Sequence, residues 1–155
     1  YLFADRFDQA FSDWKVNGIP FAIMLIDLDH FKKINDKYGH EVGDQVLWAV
    51  ANRMLQATRS CDTVARYGGD EFVVLITNIT TTECAEIRAE WMLEAIAQSV
   101  ATTVGELTLS CSIGVSLCPI HGQSLDTLLK AADQAMYGVK ELGRKGVAMP
   151  ETRTV

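Results

Sequence analysis

The 155-residue chain lacks the patterns that mark several common protein classes. No apolar run approaches the roughly 18 residues that a membrane-spanning helix needs, and no signal-peptide pattern opens the chain. Aspartate and glutamate (20) outnumber lysine and arginine (14), so there is no basic excess to attract a nucleic-acid polymer. The four cysteines are spaced too widely for a typical zinc site. We therefore expect a soluble, cytoplasmic domain without membrane contact, with reduced cysteines in its core.

Internal repeats, low-complexity segments and linkers are also absent. The length of 155 residues and the hydrophobic content of 48% suit one globular domain with a proper core. We predict that this domain spans residues 1–150 and that residues 151–155 form a loose C-terminal tail.

The most informative segment is Gly68-Gly69-Asp70-Glu71, which precedes an apolar run. Two glycines between two apolar segments predict a β-hairpin at about 63–77, with a tight turn of positive φ. Folding does not require two adjacent carboxylates at such a tip. The hairpin therefore indicates a functional site.

A second acidic group, Asp27-Leu28-Asp29, closes the apolar strand predicted at 21–27. Carboxylates at the ends of two strands can hold a hard cation such as Mg²⁺ against a polyphosphate. The alternative is that these acids only make a turn soluble.

Hydrophobic periodicity predicts an N-terminal helix with Phe3, Phe7, Phe11 and Trp14 on one face, and two further helices at 30–36 and 41–58. A capping box of Thr80 and Glu83 predicts the start of a fourth helix, and a fifth helix runs from Ser124. The remaining predicted strands are at 105–117 and, at a sheet edge, at 147–149. We expect the helix opened by the capping box to turn Cys84, Ile87, Trp91, Ala95 and Ile96 inward, and we expect Leu55 and Trp48 in the core. This order of elements predicts an α+β domain with a mainly antiparallel sheet and helices outside.

Four separated motifs resemble, in type, spacing and order, those of the GGDEF family, the diguanylate cyclases. They are the segments 27–44, 66–72, 112–115 and 132–144. Members of this family condense two GTP molecules into cyclic di-GMP and two pyrophosphates. The resemblance covers about Phe21 to Gly146 and implies a five-stranded, palm-like sheet related to those of polymerases and nucleotidyl cyclases. In such a sheet Asp27 lies near Asp70.

The usual opening turn of the family, Asp-x-Leu-Thr-Gly-Leu-x-Asn-Arg, is absent because the chain starts at Tyr1 inside a helical pattern. We expect a longer protein with an N-terminal sensory or regulatory domain, through which it could be tethered to a membrane.

The resemblance implies a metal centre at the two strand ends. The side chains of Asp27 and Asp70 and the carbonyl of Leu28 would bind Mg²⁺, with Mn²⁺ as an alternative, and Asp70 would also accept the hydroxyl proton. Glu71 would bind a second metal or orient the hydroxyl. Lys32 would complete the catalytic set by stabilising charge in the transition state.

The resemblance also implies a triphosphate site. Main-chain N–H groups of Phe31 and Lys32, at the start of the helix at 30–36, would face the phosphates with the favourable end of the helix dipole. Gly68 and Gly69 of the hairpin belong to the same substrate-binding set.

The third motif adds two cations, Lys140 and Arg144. Because they are four residues apart, they would share a helix face and grip the terminal phosphates. The alternative is that they only interact with the helix dipole. Lys145 stands where the family has the asparagine of Gly-Arg-Asn.

The candidate residues for selecting the nucleotide base are Asn35, His40 and Asp44. An ionised Asp44 can accept from both N1–H and the 2-amino group of guanine, whereas adenine offers no such pair of donors. His40 either lines the same pocket or makes a local hydrogen bond at its helix start. Asp29 either joins the site or only stabilises a helix start.

Arg59 and Asp62 form an Arg-x-x-Asp motif just before the hairpin. In the family this spacing marks an inhibitory site that binds the product. Arg59 can form paired hydrogen bonds with phosphate or guanine, and Asp62 can accept from the Watson–Crick edge of guanine. We expect both residues on the surface, away from the metal-binding acids.

The family's reaction joins two GTP molecules symmetrically, which implies an active homodimer with GTP as substrate and cyclic di-GMP as product. The principal alternative is a non-catalytic module that senses GTP or cyclic di-GMP. A cyclase or polymerase of other nucleotide specificity is disfavoured by Asp44.

Overall fold

The computed structural model describes residues 2–151, so Tyr1 and residues 152–155 of the predicted tail lie outside the described residues. The helices are α1 (Leu2–Asn17), α2 (Phe31–Tyr38), α3 (His40–Gln56), α4 (Thr82–Ile96) and α5 (Leu125–Glu141). The strands are β1 (Phe21–Leu28), β2 (Thr63–Arg66), β3 (Glu71–Thr77), β4 (Val100–Thr102), β5 (Gly105–Leu107), β6 (Cys111–Cys118) and β7 (Gly146–Ala148). None of the helices within this range is long and apolar enough to cross a membrane.

The main sheet of the described residues has five strands in the order β2-β3-β1-β6-β7. All neighbours pair antiparallel except β6 and β7, which are parallel. β4 and β5 form a separate two-stranded hairpin. The predicted five-stranded, mainly antiparallel sheet is therefore confirmed.

β1 is the central strand, and its side chains alternate between two hydrophobic layers. One layer packs against α3 and α4 and receives Ala22, Met24, Ile26 and Leu28. The other packs against α1 and α5 and receives Phe21, Ile23 and Leu25. Because both faces are covered, all eight residues of β1 are buried, which explains the continuous apolar run in the sequence.

Two predictions for helices are confirmed. In α1, Phe7 is buried, and Phe3, Phe11 and Trp14 pack partly buried against the same core. The helix predicted from Ser124 is α5, and the structure adds that Ser124 is its N-cap, since its hydroxyl accepts a hydrogen bond from the main-chain N–H of Thr127 at 3.1 Å.

The orientation predicted for α4 is wrong except at its C-terminal end, where Ile96 is buried as expected. Ile87 and Trp91 are 50% and 58% exposed, and Cys84 is also exposed. The buried stripe consists of Ala85, Ala89, Met92 and Ile96. The helix has two apolar stripes of the same periodicity, and the one with small alanines lies against the core. The N-cap is Thr81, not Thr80, and its hydroxyl accepts from the main-chain N–H of Cys84.

α3 also differs from expectation on its outer side, because Trp48 is 73% and Leu55 58% exposed. The residues of α3 that fill the core are Val42, Val46, Leu47, Val50 and Met54. Trp48 and Leu55 each follow a buried residue directly, and a step of about 100° around the helix turns them toward solvent.

The strand predicted at 105–117 is in fact two strands, because residues 108–110 belong to no strand, and β5 and β6 lie in different sheets. The short strand β4, which pairs with β5, was not predicted. Cys111 and Cys118 are buried as expected, whereas the expectation of a core position is wrong for Cys61 and Cys84. All four cysteines are free thiols.

Candidate active site

The acidic residues at the two strand ends lie side by side. β1 and β3 pair so that Asp27 stands opposite Glu71, and the main-chain N–H of Leu28 donates to the carbonyl of Asp70 at 3.1 Å. Asp27 and Asp70 are thus neighbours across the sheet, although they are far apart in sequence. This is the convergence that the sequence predicts.

Negative charge is concentrated where these strands end. Asp27 is only 8% exposed; its Oδ2 accepts a hydrogen bond from Lys140 Nζ. Its Oδ1 is buried and has no hydrogen-bond partner among the described residues. Burial, and then the charge of Asp27, raise the pKa of Asp70. Burial, Asp27 and Asp70 raise the pKa of Glu71 in the same way.

These observations fit a bound divalent cation. An unpartnered carboxylate oxygen in a buried position is costly, and Mg²⁺ takes carboxylate oxygens as ligands. Within residues 2–151 no three histidine, cysteine, aspartate or glutamate side chains are grouped closely enough to hold a metal by themselves. The set implied by the family does not need three, because it combines Asp27 and Asp70 with the main-chain carbonyl of Leu28.

The hairpin tip is held by main-chain and arginine hydrogen bonds. The N–H groups of Tyr67 and Gly68 donate to the carbonyl of Glu71 at 2.8 and 3.2 Å. The Arg66 guanidinium donates to the carbonyls of Gly68 and Gly69 at 3.1 and 2.6 Å. The positive φ predicted for Gly68 and Gly69 is wrong, because neither is among the positive-φ glycines of the described chain. Instead, the missing side chains leave the main chain of the tip open to close approach.

The start of α2 is anchored beside this acidic cluster. His30 adopts a left-handed conformation with φ of 58° directly before the helix. Phe31 is buried at 6% exposure and fixes the first turn to the core, whereas Lys32 is exposed. The N–H groups of the first turn are the kind of donors that bind anions at a helix start.

The three residues assigned to base recognition lie where α2 meets α3. A Cβ atom on Gly43 would lie 1.8 Å from Asn35 Oδ1, so the glycine makes room for the Asn35 side chain. Asp44 is exposed and lines a groove of about 410 Å³ together with Leu47, Trp48, Arg66 and Phe72. His40 is the exposed first residue of α3.

The helical face predicted for Lys140 and Arg144 is wrong. α5 ends at Glu141, and the chain then turns through left-handed conformations at Arg144 (φ 69°) and Lys145 (φ 54°). The two cations therefore do not share a helix face. Lys140 contacts Asp27 directly, and Arg144 is exposed in the turn that follows.

Asp29 joins three segments beneath the site, a role that sequence reasoning missed. Its carboxylate accepts from Ser110 Oγ at 2.6 Å, from Ser112 Oγ at 2.7 Å and from the main-chain N–H of Lys145 at 3.1 Å. These bonds tie the end of β1 to β6 and to the turn after α5. Ser112, within the apolar run of β6, could have indicated this role of Asp29 in the sequence, because a buried hydroxyl needs a hydrogen-bond partner.

The Arg-x-x-Asp motif is only partly on the surface. Arg59 is exposed, but the side chain of Asp62 is fully buried, so the expectation of an exposed Asp62 is wrong. Asp62 accepts from Arg59 Nη2 at 3.1 Å and from Arg88 Nη2 at 2.8 Å. Burial by itself would raise the pKa of Asp62, but the bonds from Arg59 and Arg88 hold this pKa below its ordinary value. Arg88, on α4, was not predicted from sequence.

The motif also lies away from the acidic cluster, as expected. Asp62 Oδ1 accepts from the main-chain N–H of Thr77, the last residue of β3. The acidic cluster of Asp27, Asp70 and Glu71 lies at the other end of this strand, where β3 begins at Glu71. A strand of this length spans roughly 20 Å.

Comparison with known proteins identifies the family that the chain resembles. Residues 1–146 match the family described as "Diguanylate cyclase, GGDEF domain". The chain is 40% identical, over 97% of its length, to the bifunctional diguanylate cyclase/cyclic di-GMP phosphodiesterase MucR of Pseudomonas aeruginosa, of which it spans 22%. The chain spans between 18% and 37% of the first curated relatives.

Two solved structures are similar over nearly the whole chain. The GGDEF domain of PA1120 (YfiN or TpbB) from P. aeruginosa has a TM-score of 0.93 and 34% identity, with 98% of this chain and 95% of that chain covered. The GGDEF domain of DgcB from Caulobacter crescentus, in complex with c-di-GMP, has a TM-score of 0.84 and 26% identity, with 95% and 87% covered. With its motifs, its fold and the match over residues 1–146, this chain belongs to the GGDEF domain family.

Proposed function

We propose that the chain is a catalytically competent diguanylate cyclase domain, which condenses two GTP molecules into cyclic di-GMP and releases two pyrophosphates. The observation that carries this proposal is the buried, unpartnered Oδ1 of Asp27 beside Asp70 and Glu71. The names of similar proteins support the nucleotide class, since MucR is called a diguanylate cyclase in part and DgcB was solved with c-di-GMP.

We assign a Mg²⁺ site, open also to Mn²⁺, to Asp27, Asp70 and the Leu28 carbonyl, with Glu71 as a second-metal ligand or hydroxyl-orienting group. When bound, the cation would neutralise the α-phosphate and lower the pKa of the attacking 3′-hydroxyl. Asp70 accepts the hydroxyl proton in this proposal.

The triphosphate would lie between the start of α2 and the end of α5. The N–H groups of Phe31 and Lys32 face the phosphates, and the Lys32 ammonium offsets charge on the transition state. Lys140 contacts Asp27 and so stands beside the proposed metal and phosphates, while Arg144 approaches from the following turn. The open main chain at Gly68 and Gly69 lets the hairpin tip approach the substrate closely.

Guanine would enter the groove beside Asp44, whose volume of about 410 Å³ lies in the range of small-molecule sites. Asp44 accepts from N1–H and the 2-amino group, and Asn35 offers an amide for the same base. His40, exposed at the start of α3, lies at this junction and is assigned to the same pocket.

We predict that Asp44→Ser relaxes base selection. Loss of the paired acceptor leaves guanine donors unsatisfied, at a cost of roughly 1–3 kcal/mol, so the preference for GTP over ATP should fall about ten- to hundredfold. The measurement is kcat/KM for both nucleotides. Glu41→Ser, an exposed acid one turn earlier on α3, is the control and should keep the preference. Full discrimination by Asp44→Ser would exclude Asp44 as the base-reading residue.

The reaction requires a homodimer, because each domain holds one GTP and a two-fold axis sets each 3′-hydroxyl against the α-phosphate of the other. The rate should therefore rise more steeply than linearly with protein concentration wherever the dimer is incompletely formed.

We also propose product inhibition through Arg59, with Asp62 and Arg88 as its support. Because Arg88 and Arg59 both bind the buried Asp62 carboxylate, this acid holds the arginines in place for an anionic ligand. Cyclic di-GMP bound at Arg59 would lie away from the carboxylates of Asp27, Asp70 and Glu71, so it need not compete with GTP.

Arg59→Ala is therefore predicted to weaken cyclic di-GMP binding by about tenfold or more, because a paired contact to phosphate or guanine is lost. Initial rates should stay near those of the wild type, while late progress curves should slow less. Calorimetric titration of cyclic di-GMP measures the first effect. Arg6→Ala, an exposed arginine of α1, is the control. Equal affinity in wild type and Arg59→Ala would exclude Arg59 as a contact of the product.

Incubation of the purified chain with GTP and Mg²⁺, followed by chromatographic separation of the products, tests the central proposal. Cyclic di-GMP is the expected product. Binding of GTP without turnover would instead favour a sensing module that has no catalytic activity.

A further inference from the structure

α4 exposes a surface that the stability of the fold does not explain. Ile87 and Trp91 project on the side opposite the buried stripe, at 50% and 58% exposure. They line a shallow groove of about 390 Å³ together with Glu83, Glu86, Glu90 and Glu94. We call these six residues the outer face of α4. The face combines exposed apolar area with dense negative charge.

Nothing in the described structure neutralises this charge. None of the four glutamates takes part in an ion pair within residues 2–151. Arg88, the one basic residue of α4, binds Asp62 instead. Glu86 and Glu90 are four residues apart, as are Glu90 and Glu94, and like charges at this spacing destabilise a helix. Four unpaired acids are a large share of the chain's net charge of −6.

Several kinds of partner are excluded by this chemistry. An anionic membrane or a nucleic-acid backbone would be repelled by the glutamates. A purely apolar partner would cover Ile87 and Trp91 but would take the neighbouring carboxylates out of water without pairing them. The face requires apolar contact and positive charge on the same partner.

We propose that the outer face of α4 binds a basic amphipathic helix of a partner protein. Apolar residues of that helix at i, i+3, i+4 and i+7 would pack on Ile87 and Trp91, and its lysines or arginines would lie over the glutamates. Tryptophan is well suited as the anchor of such an interface. Binding here requires neither GTP nor turnover, so this proposal can fail independently of the proposed cyclase activity.

The probe is a synthetic peptide with leucines at i, i+3, i+4 and i+7 and lysines between them, compared with a scrambled peptide of the same composition. Calorimetric titration into the whole chain should show saturable binding of the amphipathic peptide only, and added salt should weaken it. Trp91→Ala and Glu90→Lys should each lower the affinity about tenfold or more. Trp48→Ala, another exposed tryptophan, should bind as the wild type does.

The same titration followed by nuclear magnetic resonance uses the unmodified protein and needs no variant. Shifts centred on residues 83–94 would support the proposal. Equal binding of the scrambled peptide, an equal loss in Trp48→Ala, or no saturable binding would overturn it. Preferential binding to phosphatidylglycerol vesicles would overturn it as well. Self-association of the free chain that Trp91→Ala abolishes in sedimentation would identify a second copy as the occupant instead.

Discussion

Asp70→Asn is expected to abolish cyclic di-GMP formation while the domain stays folded. Asparagine keeps the size of the side chain but can neither bind the proposed cation as a carboxylate nor accept the hydroxyl proton. Loss of both roles should remove several kcal/mol of transition-state stabilisation, which corresponds to about a thousandfold or more in rate. Chromatographic measurement of product from GTP and Mg²⁺ provides the rate.

Without divalent cations, the same substitution should raise the stability of the folded domain near neutral pH. The pKa of Asp70 is raised in the folded protein, by burial and by Asp27, so the folded state binds this proton more tightly than the unfolded state. Stability then falls as pH rises from the ordinary pKa of aspartate through the raised value, and the charged Asp70 opposes folding above it. Asparagine removes that opposition. The difference in melting temperature should vanish below the ordinary pKa.

Asp126→Asn is the matched control, because Asp126 is an exposed acid of α5 whose only ion pair in the described chain joins it to Lys130. It should keep wild-type turnover. Mg²⁺ should raise the melting temperature of wild type and Asp126→Asn, but much less that of Asp70→Asn. Normal turnover in a folded Asp70→Asn protein, or equal stabilisation by Mg²⁺, would rule out the assignment of Asp70.

The elements that were predicted correctly depend mainly on residues close together in the sequence. The sequence predicted strand β1 from an apolar run, the hairpin of β2 and β3 from its turn residues, and the helix from Ser124 from its periodicity. For α4 the stripe with Ile87 and Trp91 was predicted to face the core, but the stripe with Ala85 and Ala89 does so. Both stripes have the same period, so periodicity could not distinguish them. Only the shape of the sheet decided between them, and that shape depends on residues distant in sequence.

The site was predicted as a set of residues, but their partners were not. Asp27 and Asp70 converge because strand ends meet at the same edge of a sheet, which a fold prediction already implies. The contacts of Lys140 with Asp27 and of Arg88 with Asp62 join residues whose separation carries no periodic signal. Because α5 ends at Glu141, Arg144 lies in the following turn rather than on the helix. The sequence did not predict this end, because Arg144 and Lys145 adopt left-handed conformations that non-glycine residues rarely adopt.

Gly114→Ala is expected to destabilise the domain strongly. α5 crosses β6 at this glycine, and a Cβ atom would lie 1.9 Å from the carbonyl oxygen of Ala132 and 2.8 Å from the main-chain nitrogen of Met136. Both atoms belong to a helix backbone, so no side chain can rotate away to relieve the clash. Overpacking of this kind costs about 3 kcal/mol, which lowers the melting temperature of a domain of this size by roughly 6–12 °C.

Gly138→Ala separates this clash from a general effect of glycine replacement near α5. Gly138 lies on the same helix, and a Cβ atom there would meet no other atom within 4 Å, so helix propensity should stabilise the variant by about 1 kcal/mol. Thermal unfolding of both variants is the measurement, and destabilisation of similar size in both would contradict the argument. Turnover of Gly114→Ala should fall even below its melting temperature. Displacing α5 from β6 carries Lys140 away from Asp27, which separates the proposed phosphate contact from the carboxylates that would hold the metal.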